Sequence, residues 1–205
     1  MSKRPASNRW LQRQQRDHFV RQAQQSDYRS RAVYKLQEID KRDGLIQPGT
    51  CVIDLGAAPG SWSQYAISRT GQQGKVIAVD CQAMAPIDNV LFIQGDFTEQ
   101  ETIDRCMGCI GSNRVDLVLS DMAPNITGIR ATDQARSIYL AELAKDLATR
   151  VLKQEGDLLI KLFQGEGVDQ FRKELQEHFG RVLTRKPRAS RDDSREFYLL
   201  ARGFR

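Results

Sequence analysis

The stretch Val52-Ile53-Asp54-Leu55-Gly56-Ala57-Ala58-Pro59-Gly60-Ser61-Trp62 constrains the fold of this chain more than any other. A short apolar run from Cys51 to Ile53 ends in an acid and breaks into a turn of small residues. A helical pattern then follows through Ile67. Strand, tight turn and helix start succeed one another, and Gly56 and Gly60 let the backbone bend sharply and let a ligand approach it closely. In an open α/β sheet such a turn lies at the carboxyl end of a strand, where ligands bind.

The turn also narrows the choice of ligand. Gly56 and Gly60 do not have the G-x-G-x-x-G spacing of a dinucleotide site, and no Gly-Lys-Ser/Thr follows to make a phosphate loop. An aspartate before the loop repels phosphate and suits a ligand carrying ammonium and sulfonium charge. S-adenosylmethionine is such a ligand. Taken alone, the turn also fits an ordinary strand–helix connection.

The rest of the chain repeats the β/α theme. Strands are predicted at 51–54, 75–79, 90–93, 115–119 and 157–163, with two more near 182–186 and 196–201. Helices are predicted at about 31–41, from the turn to 69, and at 100–110, 132–152 and 168–179. Alternation of this kind argues for a doubly wound α/β sheet in one domain. The first four strands each end in or run into an aspartate: Asp54, Asp80, Asp96 and Asp121. Any one of these suits a cap or turn. Four at equivalent ends point to a ligand with several donors. Asp80, 24 residues after Gly56, stands where nucleotide-binding α/β folds hold ribose hydroxyls.

Leu158-Leu159-Ile160-Lys161-Leu162-Phe163 carries a lysine inside an apolar run. An unpaired ammonium in a strand buried on both faces is costly, so Lys161 either escapes at the strand end or is held for chemistry. Upstream, Ala32, Val33, Leu36 and Ile39 form a helical stripe with Lys35 at its edge, able to snorkel into a neighbouring cleft.

The net charge of +5 is unevenly spread. Lys3, Arg4, Arg9, Arg13, Arg16, Arg21, Arg29, Arg31 and Lys35 crowd the first 35 residues. Arg181, Arg185, Lys186, Arg188, Arg191 and Arg195 lie near the C-terminus. Both clusters are expected to contact RNA phosphates, with Trp10, Phe19 and Tyr28 interleaved as stacking groups. Residues 1–27 are read as a basic, mobile arm and 28–205 as the domain. No apolar run spans a membrane and no secretory signal is visible, so a cytoplasmic protein is expected; a monomer is also expected. Cys106-Met107-Gly108-Cys109 lacks partner ligands at zinc spacing and falls in a predicted helix, and no metal site is expected.

Five segments together resemble the FtsJ-type ribose 2′-O-methyltransferases: Arg29-Ser30-Arg31-Ala32-Val33-Tyr34-Lys35-Leu36, Asp54 to Tyr65, Ser120-Asp121-Met122-Ala123-Pro124-Asn125, Lys161-Leu162-Phe163-Gln164-Gly165 and Ser194-Arg195-Glu196. The resemblance runs from about residue 28 to the end and is strongest to members that methylate a uridine of large-subunit ribosomal RNA in support of ribosome assembly. Ser61 departs from it, standing where relatives often carry a third glycine.

The resemblance implies a Rossmann-like methyltransferase fold: a mostly parallel seven-stranded sheet, helices on both faces and an antiparallel last strand. It implies a Lys-Asp-Lys-Glu catalytic tetrad at Lys35, Asp121, Lys161 and Glu196. It also implies S-adenosylmethionine as cofactor, with contacts at Gly60, Trp62, Asp80, Asp96 and Asp121 and backbone approach from Gly56 to Trp62. Asp54 and Gly56, beside the turn, join the candidate donor site. A 2′-hydroxyl is a poor nucleophile, so Lys161 would serve as base or, protonated, would stabilise the developing charge. The competing readings are a transfer-RNA or cap 2′-O-methyltransferase, a non-catalytic RNA-binding assembly factor and, least consistent with the glycine spacing, a nicotinamide-dependent oxidoreductase.

Overall fold

The computed structural model describes residues 17–111, 114–191 and 194–205. Its elements, in chain order, are α1 (His18–Gln25), α2 (Val33–Asp43), β1 (Cys51–Leu55), α3 (Ser61–Thr70), β2 (Lys75–Asp80), β3 (Val90–Gln94), α4 (Gln100–Ile110), β4 (Val115–Ser120), α5 (Arg130–Val151), β5 (Leu152–Phe163), α6 (Val168–His178), β6 (Phe179–Arg185) and β7 (Glu196–Phe204). The strands form one seven-stranded sheet in the order β3-β2-β1-β4-β5-β7-β6. β1 to β5 pair in parallel, and β7 runs antiparallel to both of its neighbours. This is the mixed sheet that the family resemblance implies.

Successive side chains of a strand point to opposite faces, and each face here has its own core. Ile53, Leu55, Leu158, Ile160, Leu162, Phe197 and Leu199 pack on one face with Ala141, Ala144 and Phe171 of α5 and α6. Val52, Leu117, Leu119, Leu159, Tyr198 and Leu200 pack on the other with Leu36 and Ile39 of α2 and Trp62 and Ala66 of α3. The same alternation carries Asp54, Asp121, Lys161 and Glu196 to the side covered by α2 and α3, because each lies an even number of residues from a side chain in that second core.

β5 starts five residues before its expected beginning at Asp157. Leu152 pairs with Val115 and Asp157 with Leu117, so the intervening residues bulge out of register. Glu155 takes φ +65° there, and the exposed polar side chains of Lys153, Gln154 and Glu155 hide the strand from a hydrophobicity pattern.

Part of the expected arm is folded onto the domain. Asp17 caps α1 by accepting from the Phe19 amide at 3.1 Å. Ala23 is buried against a small cluster with Val33, Tyr34 and Ala189. Phe19 packs on Tyr34 at 5.5 Å between ring centroids, Tyr28 meets Tyr34 edge-on at 6.4 Å, and Arg31 lies 5.4 Å over the Phe19 ring. Phe19 and Tyr28 are therefore packing groups of this cluster rather than open stacking platforms for bases. Trp10 and residues 1–16 lie outside the described residues. No helix among the described residues is long and apolar enough to cross a membrane.

Candidate active site

The four tetrad positions come together at the carboxyl edge of the sheet. β5 and β7 are in register at Lys161 and Tyr198, and at Phe163 and Glu196, so Glu196 enters β7 beside the exit of β5. β4 ends at Ser120, opposite Leu55 of β1, and delivers Asp121 to the same point. The Lys161 ammonium, buried at 9% exposure, lies 3.0 Å from Asp121 Oδ1 and also donates to the Asp121 carbonyl oxygen. Lys35 reaches in from α2 and its Nζ stands 2.5 Å from Glu196 Oε1. Two lysine–carboxylate pairs thus share one edge.

Burial alone would raise the Asp121 carboxyl, but Lys161, Lys35 and a hydrogen bond from Tyr198 outweigh it and hold the group below its ordinary range. Tyr198 is a member of this site that sequence reasoning missed. Its hydroxyl donates to Asp121 Oδ1 at 2.7 Å, and its ring is wholly buried against Trp62 at 5.8 Å. Burial, with Asp121 and Glu196 nearby, pushes its phenol far up, so it remains a donor. A tyrosine inside an apolar strand reads as core. Its place beside Lys161 across β7 is the one signal that marks it, and that pairing is invisible before the sheet is known.

The glycine turn borders the tetrad. A narrow crevice is lined by Ser30, Asp54, Gly56, Ala58, Ser61 and Asp121, among others. Gly56 takes φ +73°, and a Cβ there would fall 2.5 Å from Met122 Cγ. Gly60 takes φ +109°, and a Cβ there would fall 2.7 Å from Met84 Sδ and 2.8 Å from Ile87 Cδ1. Both glycines are required by conformation, and Gly56 also by space, because the atoms over Gly60 are the ends of flexible side chains. Gly60 leaves the start of α3 without a side-chain cap of its own.

Asp54 is 1% exposed and accepts from Ser63 Oγ at 2.6 Å through Oδ2, while Oδ1 has no partner. Burial pushes its carboxyl up to about 7; the Ser63 hydrogen bond opposes this, and the charges of Asp121 and Asp80 add to it. Asp80 accepts from the Ala58 amide at 2.9 Å and the Gln82 amide at 2.7 Å, which ties the end of β2 to the glycine turn. Asp96 is exposed beyond β3 and accepts from the Thr98 amide at 2.9 Å, with Gly95 bonded to the Asp80 carbonyl at 3.0 Å. The Trp62 side chain faces the core instead: it is 2% exposed and its indole N–H donates to the Ala32 carbonyl at 2.8 Å. Of Trp62 only the backbone is placed for a ligand.

Ser30 lies ahead of α2, which begins at Val33, and its hydroxyl shares a 2.7 Å hydrogen bond with that of Ser61. Arg29 bridges two loops, donating to the carbonyls of Pro59 at 3.1 Å, Ala85 at 2.6 Å and Pro86 at 2.7 Å. The C-terminal basic cluster divides. Arg181 pairs across from Arg202, away from the tetrad, and Arg185 is buried in a two-pronged ion pair with Asp43 at 2.7 and 2.6 Å. Lys186 Nζ donates to the carbonyls of Ser194 and Glu196 at 2.6 Å each, and Arg191 Nε lies 3.8 Å from Asp17 Oδ2. Cys106 is buried within α4, and burial pushes its thiol up to about 11, as suits an inert core cysteine.

Residues 28–204 match the FtsJ-like methyltransferase family. Over 205 residues the chain is 54% identical to a Marinobacter nauticus protein named ribosomal RNA large subunit methyltransferase E, covering all of this chain and 99% of that one. It is 55% identical, with the same coverage, to the Pseudomonas aeruginosa protein of that name. Among solved structures, a Plasmodium falciparum protein named as a ribosomal RNA methyltransferase superposes with a TM-score of 0.80 at 29% identity, covering 86% of this chain and 98% of that one.

Proposed function

The chain belongs to the FtsJ-like methyltransferase family, and from that premise we propose that it transfers the methyl group of S-adenosylmethionine to the 2′-hydroxyl of a uridine in large-subunit ribosomal RNA. The observation that carries this reading is the meeting of the Lys161–Asp121 and Lys35–Glu196 pairs beside the glycine turn. Relatives over half identical along the whole chain are named for large-subunit ribosomal RNA, which supports the substrate class.

The residues at the turn fit the proposed donor. Asp54 Oδ1, buried and unpartnered, is an acceptor awaiting a cationic or N–H group. The start of α3, which Gly60 does not cap, suits a carboxylate, while Gly56 leaves room where a side chain would meet Met122. Asp80 and Asp96 would take the ribose hydroxyls and the adenine amine. When bound, S-adenosylmethionine supplies an electrophilic methyl on a sulfonium.

The chain's own residues prepare the nucleophile. In its neutral amine form, Lys161 receives the proton of the 2′-hydroxyl at Nζ. Asp121 orients that amine, and Tyr198 fixes Asp121. Lys35, held by Glu196, is a cation that positions the 2′-oxygen. The two acceptors that Asp121 offers to Nζ favour a second form of the mechanism, in which Lys161 stays an ammonium and stabilises the developing oxyanion. A base gives a rate that rises as Lys161 loses its proton; an ammonium gives one that falls.

The test is transfer of labelled methyl to undermethylated large ribosomal subunits. Lys161→Ala should reduce the rate by about a hundredfold or more while donor affinity by calorimetry is unchanged. Transfer to transfer RNA alone would change the substrate. Tight RNA binding without transfer to any RNA would favour an assembly factor.

A further inference from the structure

A second concavity lies beyond the tetrad, between the N-terminal half of α5 and the loop that joins β5 to α6. Arg130, Gln134, Ile138, Tyr139, Gly165 and Arg195 are among its lining residues. It is built on the strand end that carries the catalytic lysine. Gln134 Nε2 donates to the carbonyls of Phe163 at 3.1 Å and Glu166 at 2.9 Å, and the Gln164 amide donates to the Arg195 carbonyl at 2.9 Å. Phe163 is two residues past Lys161, a rise of roughly 6–7 Å along a strand, and Arg195 immediately precedes Glu196. A polymer crossing the carboxyl edge at Lys161 would meet this groove next.

The groove is unlike ordinary surface in three ways. Tyr139 is a large aromatic left 55% exposed on its wall, and Ile126 and Ile129, each 63% exposed, lie in the approach to α5. Guanidinium groups stand at Arg130 and Arg195, with the carboxylates of Glu142 and Glu166 also present, so the lining suits a group bearing both donors and acceptors between phosphates better than a bare anion. Third, Gln134 is 93% buried by its 7% exposure, and its two donor bonds to carbonyls fix which way the amide points. Oε1 is thereby left as a buried acceptor without a partner. Only Gly165 fits over it, since a Cβ there would lie 2.7 Å from that oxygen.

We propose that this groove receives an unpaired base of the RNA strand adjacent to the ribose held at Lys161. The base stacks on Tyr139, its phosphates meet Arg130 and Arg195, and a base-edge N–H satisfies Gln134 Oε1 as the glycine-bounded loop at 165–167 yields. The assignment rests on the RNA-methylation reading above and adds a positioning subsite to it.

The test uses the full-length protein, an unmodified large-subunit RNA transcript and undermethylated subunits. Tyr139→Ala should raise the KM for RNA and the directly measured RNA Kd about tenfold, with S-adenosylmethionine affinity at the wild-type value. Tyr139→Trp should restore both. Gln134→Met, which keeps the volume and removes the acceptor, should weaken RNA in the same sense, with its melting temperature reported alongside. Unchanged KM and Kd in Tyr139→Ala would overturn the subsite. So would a defect seen on assembled subunits but not on naked RNA, which would mark a protein occupant. A wild-type protein that binds RNA but transfers no methyl would defeat the functional reading instead, and the RNA Kd of Tyr139→Ala would still decide the groove.

Discussion

Asp54 illustrates how a single buried acid can set both stability and ligand preference. Its carboxyl is raised from the ordinary aspartate range to about 7, first by burial and then by Asp121 and Asp80. The folded chain therefore holds a proton on Asp54 that the unfolded chain has released between pH about 4 and 7. Stability from this group is fully present below pH about 4 and is lost as pH rises through 7. Asp54→Asn should accordingly gain stability over the wild type as pH is raised from 5 to 8, read as a widening difference in melting temperature. A cationic donor should bind the ionised form better, so wild-type S-adenosylmethionine affinity should increase from pH 6 to 8 and that increase should vanish in Asp54→Asn. A pH-independent wild-type affinity would remove Asp54 from the donor site. This residue was legible as an acid at a strand end, and Lys161 was legible because an ammonium is out of place in an apolar run. Tyr198 was not legible, because its hydroxyl finds Asp121 only through the pairing of β5 with β7.

At the scale of elements, the strand–helix alternation and the places where strands meet acids could be read from periodicity, since β1 to β4 are short and bounded by glycine or aspartate. The bulged start of β5 could not, because its exposed polar residues pair only through the backbone. Nor could the joining of the loop at 81–88 to the glycine turn, which depends on one side chain from the segment before α2. Arg29 spans Pro59, Ala85 and Pro86 with a planar fork of donors, and a lysine offers only a point charge. Arg29→Lys should therefore cost about 1 kcal/mol, roughly 2–4 °C in melting temperature for a chain of this size. Amide exchange at residues 81–89 should speed up, and the KM for S-adenosylmethionine should rise several-fold as Met84 and Ile87 loosen over Gly60. Unaltered exchange in that loop would show that the three carbonyl bonds do not hold it.

Across the whole molecule, the basic excess acts as a field that draws a polyanion toward one edge, but not every positive residue is available for it. Arg31 is engaged with Asp17 and stacked on Phe19, Lys35 is paired with Glu196, and Arg185 is locked to Asp43. These charges are spent inside the protein, so they should release few counterions when RNA binds. Lys3, Arg4, Arg9, Arg13 and Arg16 carry five positive charges ahead of Asp17, and we propose that they, with Arg188 and Arg195, supply the phosphate contacts. Each neutralised phosphate adds about 0.7 to the slope of log affinity against log salt for a single strand. Replacing those five N-terminal residues by glutamine should lower the magnitude of the slope by up to roughly 3.5, with S-adenosylmethionine affinity and melting temperature held. Arg31→Gln should instead lower the melting temperature with little change in slope, since its role is to hold α1 down. If the slope for the five-residue variant matches that of the wild type, RNA binding is carried by the folded edge alone, and the N-terminal charges have no part in it.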